Sequence, residues 1–174
     1  YNELSGFVKD LQGSEASEPM RLAFEFLILT AARTGEVIGA TRDEIDLDKS
    51  VWTIPAERMK AGKPHRIPLA PRCVEIVKRA LDLGGSDWLF PGLRPGKPLS
   101  NTAFLMHMRR AKVDYVPHGF RSAFRDWIGE QTAFPREIAE AALAHMIENK
   151  TEAAYARSDL FERRRKLMAA WADY

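Results

Sequence analysis

The sequence predicts an α+β fold, a mostly helical domain carrying one small antiparallel β-sheet. Stretches with apolar residues at helical spacing flank a central region, Glu44 to Leu69, where short β-type runs alternate with turn residues. Turn clusters punctuate the chain at 13–19, 61–64, 84–85 and 95–98, and no internal repeat or low-complexity segment interrupts it. The 174 residues suffice for one well-buried core, and 45% apolar with 29% charged residues belongs to a folded rather than a disordered chain.

Residues 1–19 read as the end of an interdomain linker, because Gly13-Ser14-Glu15-Ala16-Ser17-Glu18-Pro19 is a turn or cap cluster. The folded domain then covers 20–174. Pro19 suits a first helical turn, so a mostly buried helix runs from Met20 to about Arg33, with Gly35 as its breaker and Glu36 opening a second short helix. Ile45, Leu47, Val51, Trp52 and Ile54, then Ile67 and Leu69, are strand residues, and Ala61-Gly62-Lys63-Pro64 is the turn before the last strand. Val74, Val77 and Leu81, with Ile76 and Ala80 alongside, predict a helix over 72–83 that stops at Gly84-Gly85.

Trp88-Leu89-Phe90-Pro91 is a loop anchored in the core. Beyond the turn at 95–98, Ser100 or Asn101 caps a helix through Arg110. His118 stands at the entrance of a helix to about Gln131, and Pro135 lies near the start of one ending around His145. A loop through Glu148-Asn149-Lys150 leads to a helix holding Tyr155. Asp159 to Trp171 is a basic amphipathic helix whose apolar Leu167, Met168 and Trp171 dock either on their own domain or on a neighbouring protomer.

Several classes are excluded. The longest apolar run, Leu27 to Ala32, is too short to cross a bilayer and no signal peptide precedes it, so no membrane partner is expected. One cysteine, Cys73, rules out an internal disulfide framework and agrees with a reducing cytoplasm. His65, Cys73, His107, His118 and His145 lack ligand spacing, and no Gly-rich phosphate loop is present, so neither metal nor other cofactor is expected. The net charge is only +2, but it is unevenly spread. Residues 1–31 carry net −3, residues 57–72 and 107–125 net +4 each, and residues 157–166 net +3, a distribution suited to a positive face against a polyanion.

Six side chains stand out: Arg33, Lys60, His118, Arg121, His145 and Tyr155. Taken singly each has an ordinary reading, as a cation completing a helix dipole, an exposed loop lysine, a surface His–Arg pair, a core imidazole and a half-buried helix tyrosine. Taken together they match one chemistry. Transfer of a phosphodiester through a tyrosyl intermediate needs a nucleophilic phenol, cations around the non-bridging oxygens, and an acid for the departing oxygen. Arginine suits the oxygens because its planar fork binds two at once and stays charged.

The strings around these residues resemble the catalytic domain of tyrosine recombinases, specifically the integrases of prophages and genomic islands, from about Leu22 onward. Leu29-Thr30-Ala31-Ala32-Arg33-Thr34-Gly35-Glu36 is similar to the first arginine motif, and Pro117-His118-Gly119-Phe120-Arg121 to the His-x-x-Arg box. Arg58-Met59-Lys60 followed by His65-Arg66-Ile67-Pro68-Leu69 resembles the family's β-hairpin, Leu143-Ala144-His145 its third motif, and Ala154-Tyr155-Ala156-Arg157-Ser158 the nucleophile box. Tyr155 stands ten residues after His145, one more than in many members.

The resemblance implies the recombinase catalytic fold and site-specific, metal-free DNA cleavage and rejoining through a 3′-phosphotyrosyl link. Tyr155 is then the nucleophile, Arg33 and Arg121 clamp the phosphate, and His118 hydrogen-bonds it or moves a proton. His145 donates to a phosphate oxygen, Lys60 protonates the departing 5′ oxygen with Lys63 as a competitor, and Glu36 is a supporting group. Lys63, Arg66 and Arg125 are implied as DNA contacts. The implied partner is double-stranded attachment-site DNA, with a homotetramer on DNA in the full-length protein, a monomer for this piece alone, and a host DNA-bending protein and a directionality factor. The implied location is cytoplasmic, on the nucleoid when active. The core-binding and arm-binding domains of full integrases are expected outside this chain. Two rivals stay open: a type IB topoisomerase, which religates the same strand, and a non-catalytic DNA-binding module.

Overall fold

The computed structural model describes residues 1–145 and 159–174. Its centre is α2 (Glu18–Thr30), in which every residue from Ala23 to Thr30 is buried. A helix apolar on all sides belongs inside a domain, with other elements packed around it. The residues expected to end a linker instead contain a helix, α1 (Leu4–Gly13), whose Leu11 is in the core and whose Leu4, Phe7 and Val8 pack against it. The turn cluster after Gly13 thus separates two helices of one packed unit.

Helix α2 stops three residues before Arg33. Ala31 takes a left-handed conformation (φ 48°) and its N–H bonds back to Ile28. Arg33 becomes the N-cap of the short helix α3 (Thr34–Ile38), and Gly35, expected as a breaker, lies inside α3. A three-stranded antiparallel sheet follows in the order β1 (Ile45–Asp46), β2 (Val51–Ile54), β3 (His65–Pro68). The β2–β3 register pairs Ile54 with His65, leaving residues 55–64 as a loop at the hairpin's end. Gly62, at φ +62°, makes the tight turn in that loop, where a side chain would be strained.

The remaining α-helices among the described residues are α4 (Pro71–Asp82), α5 (Ala103–Arg110), α6 (Gly119–Gln131), α7 (Arg136–Ala142) and α8 (Phe161–Asp173). Leu89 and Phe90 are fully buried, as expected of the anchoring loop. Two clusters of apolar side chains result. One joins α1 to α5 and the sheet; the other joins α6, α7 and α8 through Phe124, Trp127, Ile138, Leu143, Leu167, Met168 and Trp171. Ala31 belongs to the second cluster and Ala32 to the first, so the break after α2 lies on the seam between them. No helix among the described residues is long and apolar enough to cross a membrane.

The last helix docks in cis. Leu167, Met168 and Trp171 are buried against the chain's own α2, α6 and α7, and the Trp171 Nε1–H donates to the Ile28 carbonyl at 2.9 Å. Arg164, expected on the basic face, is instead 1% exposed. It donates to the Asp159 and Arg66 carbonyls at 2.7 and 2.6 Å. Burying a guanidinium is tolerated here because its N–H groups are matched by acceptors. Trp171→Ala is expected to destabilise the chain by about 3–5 kcal/mol in urea unfolding, from lost burial and the cavity left behind; an unchanged midpoint would show that α8 is not integral to the core.

Candidate active site

The seam after α2 positions the first arginine. Arg33 at the N-cap of α3 and Glu36 three residues on form a reciprocal pair: the Arg33 N–H donates to one Glu36 oxygen and its guanidinium to the other, both at 2.8 Å. The carboxylate therefore fixes the backbone and the side chain of Arg33 together. The Arg33 side chain keeps 32% of its surface exposed and Glu36 only 7%, so the fork is oriented from beneath and open above. Arg58, in the turn leading to the hairpin loop, donates to the main-chain carbonyl of Glu36 and to the Glu44 carboxylate. Glu44 also accepts from Trp52 Nε1 at 2.8 Å. Gly39 leaves room for this, since a Cβ there would stand 2.9 Å from the Arg58 guanidinium.

Arg121, one turn into α6, points into the seam and is 5% exposed. It donates to the Ala31 carbonyl, at the left-handed break, and to the Leu143 carbonyl at 2.7 Å. A third N–H lies 3.4 Å from His145 Nε2. Burial and the neighbouring Arg33 cation, opposed by Glu36, lower its pKa to about 10, which leaves it charged at neutral pH. Among the described residues three of its five N–H donors have partners, which leaves two that these residues do not engage.

His145 is held from its other side. Its Nδ1 lies 2.6 Å from a Glu140 oxygen, and Glu140 also pairs with Arg125 at 3.0 Å and, more loosely, with Arg136 at 3.6 Å. Burial raises the Glu140 carboxyl, but the bond from His145 and the Arg125 and Arg136 cations outweigh it, and its pKa falls below the ordinary value. With Nδ1–H directed at a carboxylate, Nε2 of the neutral ring faces Arg121 as an acceptor; donation from Nε2 requires the doubly protonated ring. Arg33, Glu36, Arg121 and His145 thus form one cluster. Two cations beside an imidazole, partly withdrawn from water, are suited to a dianionic or oxyanionic group.

The model of the phage integrase family matches residues 1–160. The chain belongs to that family. It is 35% identical over 176 residues to the prophage integrase IntA of Escherichia coli (strain K12), covering 99% of this chain and 42% of that protein. It is 31% identical over 173 residues to the integrase of Enterobacteria phage P4, covering 88% of this chain and 39% of that one. The chain therefore spans less than half the length of these relatives. Among solved structures, the integrase from mycobacterium phage Brujita superposes with a TM-score of 0.70 at 20% identity, over 93% of this chain and 54% of that chain. A lambda integrase tetramer bound to a Holliday junction gives 0.63 at 19% identity, over 91% and 47%. These likenesses show that the fold is the one the family shares.

The other residues singled out by sequence sit differently. Lys60 and Lys63 are exposed on the hairpin loop, and neither has an ion pair among the described residues. His118 is the exposed N-cap of α6; no hydrogen bond joins its ring to Arg121 or Arg33 among the described residues, so the i, i+3 spacing puts one side chain outside and the other inside. Arg66 is engaged by Asp159 at 2.6 and 2.9 Å and lies 4.5 Å from the Phe161 ring centroid, and Arg125 is engaged by Glu140. Tyr155 lies outside the described residues. Three side chains were not singled out by sequence: Glu140, five residues before His145; Arg58, in the string before Lys60; and His65, which opens β3. Among the described residues no group of three or more His, Cys, Asp or Glu side chains is placed to hold a metal ion.

His65 contributes a pH dependence with a definite sign. Burial and the Arg164 cation, opposed by Glu36 and the bond to the Ala142 carbonyl and reinforced by Arg121, lower its pKa to about 4. The unfolded imidazole protonates near its ordinary value of about 6.5, so stability is full above that pH and is lost as pH falls toward the folded value. Relative to His65→Gln, the wild-type chain is expected to lose on the order of 2 kcal/mol between about pH 7 and pH 5 in urea unfolding. Parallel pH profiles for the two proteins would contradict a ring held neutral in the fold.

Proposed function

We propose that this chain is the catalytic part of a site-specific DNA recombinase that integrates or excises a prophage or genomic island. The observation that carries the reading is the cluster of Arg33, Arg121 and His145, in a chain of this family. In the proposed reaction Tyr155 Oη attacks a DNA phosphorus, forming an O–P bond while the bond to the 5′ oxygen breaks. The phenolic proton passes to His118 and the departing oxygen takes one from Lys60, leaving a 3′-phosphotyrosyl link and a 5′ hydroxyl. Arg33 and Arg121 stabilise the charge gathering on the non-bridging oxygens, and His145 donates from Nε2 when its ring is doubly protonated. A 5′ hydroxyl from the partner duplex then reverses the chemistry. No nucleotide is needed because the link conserves the phosphodiester energy, and no metal because the two guanidinium groups and Lys60 supply the positive charge and the acid.

The partner is double-stranded attachment-site DNA, with the full-length protein assembling as a tetramer on it, in the cytoplasm. Host DNA-bending and directionality proteins are further partners of this reading. Lys63 contacts the backbone from the exposed hairpin loop; Arg66 and Arg125 do so by exchanging Asp159 and Glu140 for phosphate. A lone chain is monomeric and binds DNA weakly through these cations, so its affinity falls steeply as salt rises.

The test is covalent trapping on nicked attachment-site duplexes. Tyr155→Phe abolishes the adduct, and Arg33→Lys, which keeps the charge but loses the fork, slows its formation by roughly 10²-fold. An adduct that persists in Tyr155→Phe removes the assignment of the nucleophile. Relaxation of supercoiled plasmid without any recombinant product would point to a topoisomerase instead.

A further inference from the structure

His65 is a partly buried titratable group that the proposed chemistry leaves unused. It opens β3, directly after the loop that carries Lys60, and pairs across the hairpin with Ile54. Its Nε2 lies 3.2 Å from the Ala142 carbonyl, at the end of α7. A carbonyl only accepts, so Nε2 carries the hydrogen, and a ring held neutral by its surroundings has no second one. The next carbonyl along, that of Leu143, is taken by Arg121, whose guanidinium also lies 3.4 Å from His145 Nε2. Two successive carbonyls before His145 are therefore held from two different elements, one of them the hairpin strand.

We propose that His65 is a positioning residue: its Nε2–H bond to Ala142 ties the strand behind the Lys60 loop to the turn that carries His145, so that the two keep one spacing. The inference deepens the tyrosyl-transfer reading and rests on it for the roles of Lys60 and His145. The neighbourhood favours a fixed tether over a free ring. Arg164 donates into the same strand at the Arg66 carbonyl, and Arg121 and Glu36 complete the surround. A displaced hairpin shifts the acid relative to His145, while the Arg33 and Arg121 forks keep their own anchors at Glu36 and at the Ala31 and Leu143 carbonyls. This predicts a defect in leaving-group departure rather than in DNA binding.

Two variants separate the tether from bulk: His65→Gln places an amide N–H near the same point, and His65→Leu fills the space without a donor. Imidazole nitrogen NMR of the chain is expected to show His65 as the neutral Nε2–H tautomer near neutral pH. His145 signals should be unchanged in H65Q and displaced in H65L. In trapping on nicked attachment-site duplex with the full-length protein, H65L should slow cleavage by roughly 10- to 100-fold, and H65Q should restore most of it. DNA with sulfur in place of the bridging 5′ oxygen, whose thiolate leaves without a proton, should rescue H65L as well.

An Nδ1–H or charged His65, H65Q as slow as a folded H65L, or H65L matching the wild type would each overturn the proposal. If H65L does not fold, the wild-type tautomer and the H65Q signals decide it. A wild type that forms no adduct while the NMR results hold supports the tether and removes the tyrosyl-transfer reading instead.

Discussion

The arrangement depends on Arg121 and the two carbonyls it holds. Ala31 ends α2 in a left-handed conformation that an alanine adopts only at a cost. Its carbonyl is turned into the seam between the two apolar clusters, where water is excluded and an acceptor without a donor would be expensive. Arg121 supplies that donor and, through Leu143, binds the end of α7 to the same point. One buried cation thus joins the break before Arg33, the α6 helix and the turn before His145. Its removal would take away the donor that the Ala31 and Leu143 carbonyls share among the described residues.

The candidate site follows the same logic at each member: a charged group that would face an anion is held from behind by a group that would not. Glu36 holds Arg33, Glu140 holds His145, and Arg58 holds the main chain of Glu36 through a network that ends on Glu44 and Trp52. These carboxylates are not surplus negative charge beside an anion site. They fix side chains whose rotamers would otherwise be free, and this preorganisation is where such sites gain most over water.

Much of the fold was legible because periodicity and turn chemistry are local. The hairpin turn at Gly62, the buried loop at Leu89-Phe90 and the entrance of α6 at His118 stand where pattern put them. The misplacements have non-local causes. Apolar spacing carries a helix on to Arg33, whereas packing of Ala31 and Ala32 into different clusters ends it at Thr30. The linker-like residues before Pro19 fold because Leu11 finds a place beneath α2. In the candidate site, Arg33, Glu36, Arg121 and His145 were found from motif strings. Glu140 and His65 were not, since nothing in one sequence says that a carboxylate or an imidazole will be brought to a particular carbonyl or ring. Arginine is the hardest residue to read: Arg164 lies in a run of four cations and is wholly internal, while its neighbours Arg163 and Arg165 stay at the surface.

The bond from Trp171 to the Ile28 carbonyl spans 143 positions of sequence. Ile28 is made 143 residues ahead of Trp171, so the side of α2 that α8 covers stays open until residue 171 has followed. Through that interval the nascent polypeptide exposes an apolar surface and an incomplete seam, a state open to chaperones and proteases. A cell that makes this chain therefore passes through a period in which the residues of the candidate site exist without being assembled. Any truncation upstream of α8 would extend that fragile state indefinitely.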